Sequence, residues 1–159
     1  MVSRRLLGLC LLVPLLVGCQ AGQAEKEALP DVEVIGQASQ CHVESPGLAL
    51  VRSKAELPEV DRLMSSAQGA LQSGRDVVIV YLGQRPTPGY GGELRESEKV
   101  GGSLSVALRY TEPDSDAMLA QVITTPCLAL SVPGEGWSTL SVRMDAEGFP
   151  LRLEAPAGH

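Results

Sequence analysis

Cys41 is followed directly by His42, and an imidazole beside a thiol favours the nucleophilic thiolate, so this pair is the first place to look for chemistry. It has no third member. The only other histidine is the terminal His159, which leaves too few groups for a nucleophile, base and carboxylate triad or for a zinc ligand set. No Gly-x-Ser-x-Gly elbow occurs either, and His42 is expected to be a strand-surface residue. Glu112, Asp114 and Asp116 alternate as a calcium site might begin, but Pro113 and the spacing miss the twelve-residue calcium loop, leaving a solvated acidic turn. The residue types therefore point away from catalysis, and no metal or cofactor is expected.

Binding is the remaining chemistry, and Gly83-Gln84-Arg85-Pro86-Thr87-Pro88-Gly89-Tyr90-Gly91-Gly92 is the segment built for it. It has neither the Gly-x-Gly-x-x-Gly pattern nor the lysine-bearing phosphate loop, and it precedes a strand, so it is not a nucleotide site. Its prolines restrict φ to about −65° and its glycines permit positive φ or close backbone approach. A stiff loop loses little entropy on binding, and Tyr and Arg are favoured interface anchors. Arg85, Pro86, Thr87, Gly89 and Tyr90 are the candidate partner-binding residues, the alternative being a structural turn whose tyrosine packs on the edge of the domain.

Arg4 and Arg5 precede an apolar run from Leu6 to Val17. A bilayer-spanning helix needs roughly 20 apolar residues, whereas a signal peptide needs about 7 to 15. Leu16-Val17-Gly18-Cys19 resembles the lipobox of bacterial lipoproteins, which implies a signal peptide over residues 1–18 and lipidation of Cys19. An ordinary signal peptide or an uncleaved anchor is the alternative. Several acyl chains at about 0.8 kcal/mol per buried CH₂ hold such a protein on a membrane without crossing it. Gln20, where an Asp would imply inner-membrane retention, gives an expected location on the periplasmic face of an outer membrane.

Cleavage after residue 18 leaves 141 of the 159 residues, enough for one domain and too few for two. Eleven basic and nineteen acidic side chains survive, a net charge of −8 that disfavours nucleic acid and anionic lipid heads. Of the four cysteines Cys10 leaves with the signal and Cys19 carries lipid, so Cys41 and Cys127 remain. In an oxidising compartment such a pair most simply forms a disulfide, two buried free thiols being the alternative.

Residues 19–30 are polar and Gly/Ala-rich, the composition of a flexible tether, and a single domain is expected over 31–156. Val32 and Val34 alternate with acidic residues, and Leu48 to Val51 follow a Pro46-Gly47 turn signal, so both stretches are predicted strands. Ser53-Lys54-Ala55-Glu56 has capping-box spacing. It opens a predicted helix whose apolar face is Leu57, Val60, Leu63, Met64, Ala67 and Leu71, with Gly74 at its end and Pro58 as an alternative start. Val77 to Leu82 reads as a strand buried on both faces. Period-two alternation over Leu104 to Tyr110, Leu128 to Val132, Leu140 to Met144 and Phe149 to Leu153 predicts strands with one wet face. The predicted fold class is mainly β, an antiparallel β-sandwich or barrel-like domain with one α-helix packed on it.

Val77 to Leu82 with the following Gly-Gln-Arg-Pro-Thr-Pro-Gly-Tyr, then Tyr110-Thr111-Glu112-Pro113, then Gln121-Val122-Ile123-Thr124-Thr125-Pro126-Cys127, resemble the PrcB family over about residues 76 to 133. The family takes its name from an accessory lipoprotein of a subtilisin-like protease complex. The resemblance implies a small non-catalytic β domain that associates with an exported protease or another envelope protein, and Pro88 departs from the glycine more usual there. The same loop is similar, over a shorter stretch, to the Pro-Thr-Thr-Gly-Tyr loop of chagasin-type protease inhibitors, although the paired threonines and an Arg-Pro-Trp segment near Trp137 are missing. The expected function is an accessory or binding subunit whose surface is formed by Gly83 to Tyr90 and Gln121 to Cys127. A protease inhibitor and a purely structural lipoprotein are the alternatives.

Overall fold

Alternating apolar side chains build two four-stranded sheets that pack face to face in a computed structural model describing residues 32–58 and 61–155. The expected signal peptide, the lipidation site Cys19, the tether 19–30, and Asp31, Val60 and Pro156 lie outside the described residues, and the Met64 side chain is likewise outside them. The first sheet has the order β1 (Glu33–Ala38), β6 (Cys127–Val132), β3 (Asp76–Leu82), β2 (Pro46–Val51), all antiparallel. The second has the order β4 (Gly91–Val100), β5 (Ser103–Thr111), β7 (Thr139–Met144), β8 (Leu151–Glu154).

The sandwich expectation holds, and the sheets do not close into a barrel. One pair departs from the antiparallel rule. β5 and β7 run parallel, with Ser103 opposite Thr139 and Leu108 opposite Met144. The cause is the path of the chain: between them it crosses to the first sheet as β6 and returns, so β7 sets out from the same end as β5.

Val78, Val80 and Leu82 of β3 and Leu128, Leu130 and Val132 of β6 face Leu104, Val106, Leu108, Leu140, Val142 and Met144 across the sandwich. Trp137 is buried at the rim of this core, its indole N–H donating to the Pro133 carbonyl at 2.8 Å, which satisfies the ring's one polar group. On the other face of the first sheet, Val77, Ile79 and Ala129 pack with Leu63, Ala67 and Ala70 of α1 (Asp61–Gln72). Both central strands are thereby covered twice. β6, expected to have one wet face, is buried throughout, because the helix covers the side on which Ala129 and Ser131 lie.

The helix starts later than the capping box suggests. Lys54–Glu56 form a 3₁₀ turn, Ser53 makes no side-chain cap bond, and a Glu56 carboxylate oxygen accepts the Arg52 N–H at 2.8 Å instead. Leu57 is extended, as the residue before a proline prefers to be, Pro58 carries no helix, and α1 is described over Asp61–Gln72. Its end is as expected: Gly74, at φ +76°, donates to Leu71 O and Arg75 to Ala70 O, the paired bonds of a glycine-terminated helix.

The ten-residue strand β4 has no counterpart among the predicted strands. Gly91 and Gly92 read as loop, and the charged stretch that follows keeps most of its side chains in water because β4 is an edge strand carrying a bulge beside Arg95. His42, expected on a strand, sits instead at an exposed bend with φ +58°, outside every strand.

Candidate functional site

Thr124 and Thr125 are polar yet almost fully buried, and their hydrogen bonds explain why. On one side Thr124 exchanges backbone bonds with Arg85, at 2.8 and 2.9 Å, and its hydroxyl donates to the Thr87 carbonyl at 2.9 Å. On the other side the Thr125 carbonyl accepts the Cys41 N–H at 2.9 Å and the Thr125 N–H donates to the Ser39 carbonyl at 3.1 Å. The Thr125 hydroxyl oxygen also accepts from the His42 N–H at 2.9 Å. A buried polar group stays buried only when so partnered. The segment before β6 is thus a hub between the Pro/Gly loop and the chain leaving β1. The disulfide Cys41–Cys127, with Cα atoms 6.0 Å apart, closes the same junction covalently.

On this hub the loop presents a stack of flat groups. The Arg85 guanidinium lies over the Tyr110 ring, 5.5 Å from its centroid, and Tyr110 stacks on Tyr90 at 5.9 Å with the planes 29° apart. A guanidinium over an aromatic face is attracted by the ring quadrupole. One Arg85 Nη donates to the Gln84 carbonyl at 2.9 Å, while its Nε is buried and meets no hydrogen-bond acceptor. Burial pushes the Tyr110 phenol above its ordinary pKa, and the neighbouring Arg85 charge opposes that shift.

An open cleft of about 600 Å³ lies beside the stack, with Arg85, Tyr90, Tyr110 and Arg95 facing Asp145 and Glu147. The volume is in the range of ligand and peptide sites, and the lining carries both charge signs. Arg109 at the same rim is ion-paired with Glu93. The cleft lining brings together arginines, carboxylates and phenols, groups that can recognise a partner by charge, hydrogen bonding and stacking. No cluster of three or more His, Cys, Asp or Glu side chains suited to a metal ion occurs among the described residues.

Of the residues singled out from the sequence, Pro86 and Gly89 are exposed, and Arg85, Thr87 and Tyr90 are half-buried. Gly89 has a packing role. At φ +103° its missing Cβ would stand 2.9 Å from the Pro113 side chain, so glycine allows the two loops to close on one another. Gln121 to Ile123 are exposed, whereas Thr124 to Cys127 are buried and support the surface from within.

Tyr110 and Arg95 escaped the sequence reading. Tyr110 continues the inward alternation of Leu104, Val106 and Leu108 and so reads as core, while Arg95 lies in the strand that charge concealed. Met118 escaped too. It stands fully exposed in the stretch 112–123, which joins β5 to the hub without helix or strand and also exposes Val122 and Ile123.

Residues 77–133, a little over a third of the chain, match the family model described as PrcB C-terminal, so this part of the chain is similar to that family. The matched segment runs from β3 to just past β6, and so contains the Pro/Gly loop, Tyr110, the 112–126 connection and Cys127. No curated protein and no solved structure matches the chain.

Proposed function

We propose that this chain is a non-catalytic accessory subunit of an exported protease complex, docking through the pole of the sandwich that carries Arg85, Tyr90 and Tyr110. One observation carries the reading. The Arg85–Tyr110–Tyr90 stack is held on a fully bonded, disulfide-closed hub beside an open cleft, so aromatic and guanidinium anchors are presented with little left to order on binding. The family match covers this pole and supports association with a protease complex.

Membrane attachment belongs to the same proposal. A lipid on Cys19 would hold the domain in the bacterial envelope, on the periplasmic face of the outer membrane, by a tether entering at β1. That strand begins with Glu33 opposite Ser131 and ends with Ala38 opposite Cys127. The tether therefore joins the pole opposite the stack, roughly 20 Å away for a strand of this length. The stack is free to face a partner while the other end faces the lipid.

The test is photo-cross-linking in cells from a reactive side chain at Thr87 of the full-length chain, with mass spectrometry of the adduct. An exported protease as the dominant adduct, lost with Tyr90→Ala, is the expected result. Adducts only with abundant envelope proteins, indifferent to Tyr90, would return the loop to a structural turn. Hydrolysis of a small peptide by the captured protease then separates the roles: an accessory subunit changes its maturation or lifetime, whereas an inhibitor suppresses turnover. A Cys19→Ala chain recovered still in the membrane fraction would remove the lipid anchor from the proposal.

A further inference from the structure

The connection between β5 and the hub carries a second, chemically different surface. Met118 is 102 % exposed, Ile123 62 % and Val122 50 %, and Ala117 and Ala120 beside them are exposed as well. Single exposed hydrophobic residues are ordinary, but several concentrated in seven consecutive residues mark an interaction site. The other large hydrophobic residue exposed among those described, Val100, is isolated at the far pole, at the end of β4.

This stretch is presented with its ends held. Ala117 closes a turn by donating to the Asp114 carbonyl at 3.0 Å, and Val122 donates to the Ala120 carbonyl at 3.0 Å. The Gln40 side-chain amide donates to the Ile123 carbonyl at 3.2 Å, and Thr124 then enters the bonded hub. Residues 117–123 carry no charge, while exposed Glu112, Asp114 and Asp116 stand immediately before them. The surface is an apolar tip behind an acidic shoulder.

We infer that residues 117–123 are a docking element that seats in an apolar groove rimmed by lysine or arginine on the protease partner. This rests on the accessory-subunit reading and adds to it a second contact site and the chemistry of the surface that receives it. Charge complementarity selects the occupant. The acidic shoulder attracts a cationic rim and opposes an anionic membrane surface, and the chain's attachment lies at the other pole. Apolar side chains leaving water supply residence time, and the carboxylates supply the rate of encounter.

Full-length chains carrying a photoreactive side chain at Met118, at Tyr90, or at the exposed Arg143 on the outer face of the second sheet are irradiated in cells, and the adducts are sequenced. The expected result is the same protease from Met118 and Tyr90 but not Arg143, with the Met118 adduct on an apolar segment flanked by basic residues. With that protease purified, Ile123→Asp should raise the dissociation rate at least tenfold at unchanged melting temperature. The Asp114→Asn/Asp116→Asn pair should slow association several-fold and flatten its salt dependence. Protease captured from Tyr90 but not Met118, or an unchanged dissociation rate in Ile123→Asp, overturns this inference and leaves the accessory reading standing. No protease from either position overturns both. Sedimentation of the chain with vesicles of phosphatidylcholine and phosphatidylglycerol, abolished by Ile123→Asp, would assign the tip to lipid and overturn the inference in that direction.

Discussion

Arg85 and Thr124 exchange backbone hydrogen bonds in both directions, at 2.8 and 2.9 Å, as an isolated antiparallel bridge outside either sheet. The bridge couples two loops. Whatever orders the segment before β6 also orders the loop that carries the Arg85–Tyr110–Tyr90 stack, and the Thr124 hydroxyl bonded to Thr87 extends that coupling by two residues. Thr124→Val keeps shape and backbone bonds but removes the hydroxyl donor. We expect a loss of about 1 kcal/mol in stability, read from denaturant unfolding, with faster amide hydrogen exchange at Arg85. Exchange at Val78 should change only by the global stability difference.

The disulfide acts on the same junction from the other side. Cys41 and Cys127 are separated by 86 positions, so their link removes a large loop-closure entropy from the unfolded chain. Cys41→Ala/Cys127→Ala should cost about 3 to 5 kcal/mol, the range for long loops, and because the effect acts through the unfolded chain the loss should appear at every amide that exchanges by global unfolding. Thiol trapping without reductant should label neither Cys41 nor Cys127.

Glycine substitutions separate backbone strain from crowding. Gly83, at φ +76°, would place a Cβ 2.9 Å from Pro46 Cδ and 3.1 Å from the Glu44 carbonyl, so Gly83→Ala meets both penalties. Gly101, at φ +56°, has open space around the same position and meets only the first. We expect more than about 2 kcal/mol for Gly83→Ala and about 1 kcal/mol for Gly101→Ala. Gly69 lies inside α1 with nothing within 4 Å. There Gly69→Ala should stabilise by about 1 kcal/mol through helix propensity. Thermal melts of the three variants check the order.

A continuous apolar run marked β3 in the sequence, and period-two alternation marked β5 and β7, because each buries at least one full face. It failed at β4, whose long edge is solvated: Glu93, Glu96 and Glu98 have no core to declare them a strand. The parallel pairing of β5 with β7 follows from the route through β6, which no local pattern encodes. At the site, Arg85 and Tyr90 were legible because Pro and Gly mark a stiff loop. Tyr110 was not, since a tyrosine at the end of an inward-facing series looks the same whether its ring meets the core alone or, as here, also carries Arg85 and Tyr90. His42 misled because it lies at a left-handed bend whose N–H is bonded to the Thr125 hydroxyl, a contact across the fold that no local pattern encodes.

The phenols give the site a pH signature. Burial raises the pKa of both Tyr81 and Tyr110 above the ordinary tyrosine value, with the Arg85 charge partly offsetting the shift at Tyr110. A group whose folded pKa exceeds its unfolded value holds its proton more tightly when folded. Its contribution is present in full below the unfolded value, about 10 for tyrosine, and is lost as pH rises through the folded value. Unfolding free energy should therefore be insensitive to these groups at neutral pH and fall with rising pH in the alkaline range. Phenolate absorbance should show Tyr81 and Tyr110 ionising above the ordinary tyrosine range. Tyr110→Phe should keep the ring beneath Arg85, remove one late-titrating phenol and reduce the alkaline loss of stability. If that loss is as steep in Tyr110→Phe as in the parent chain, the Tyr110 phenol is not desolvated by the stack and the ring lies open to solvent.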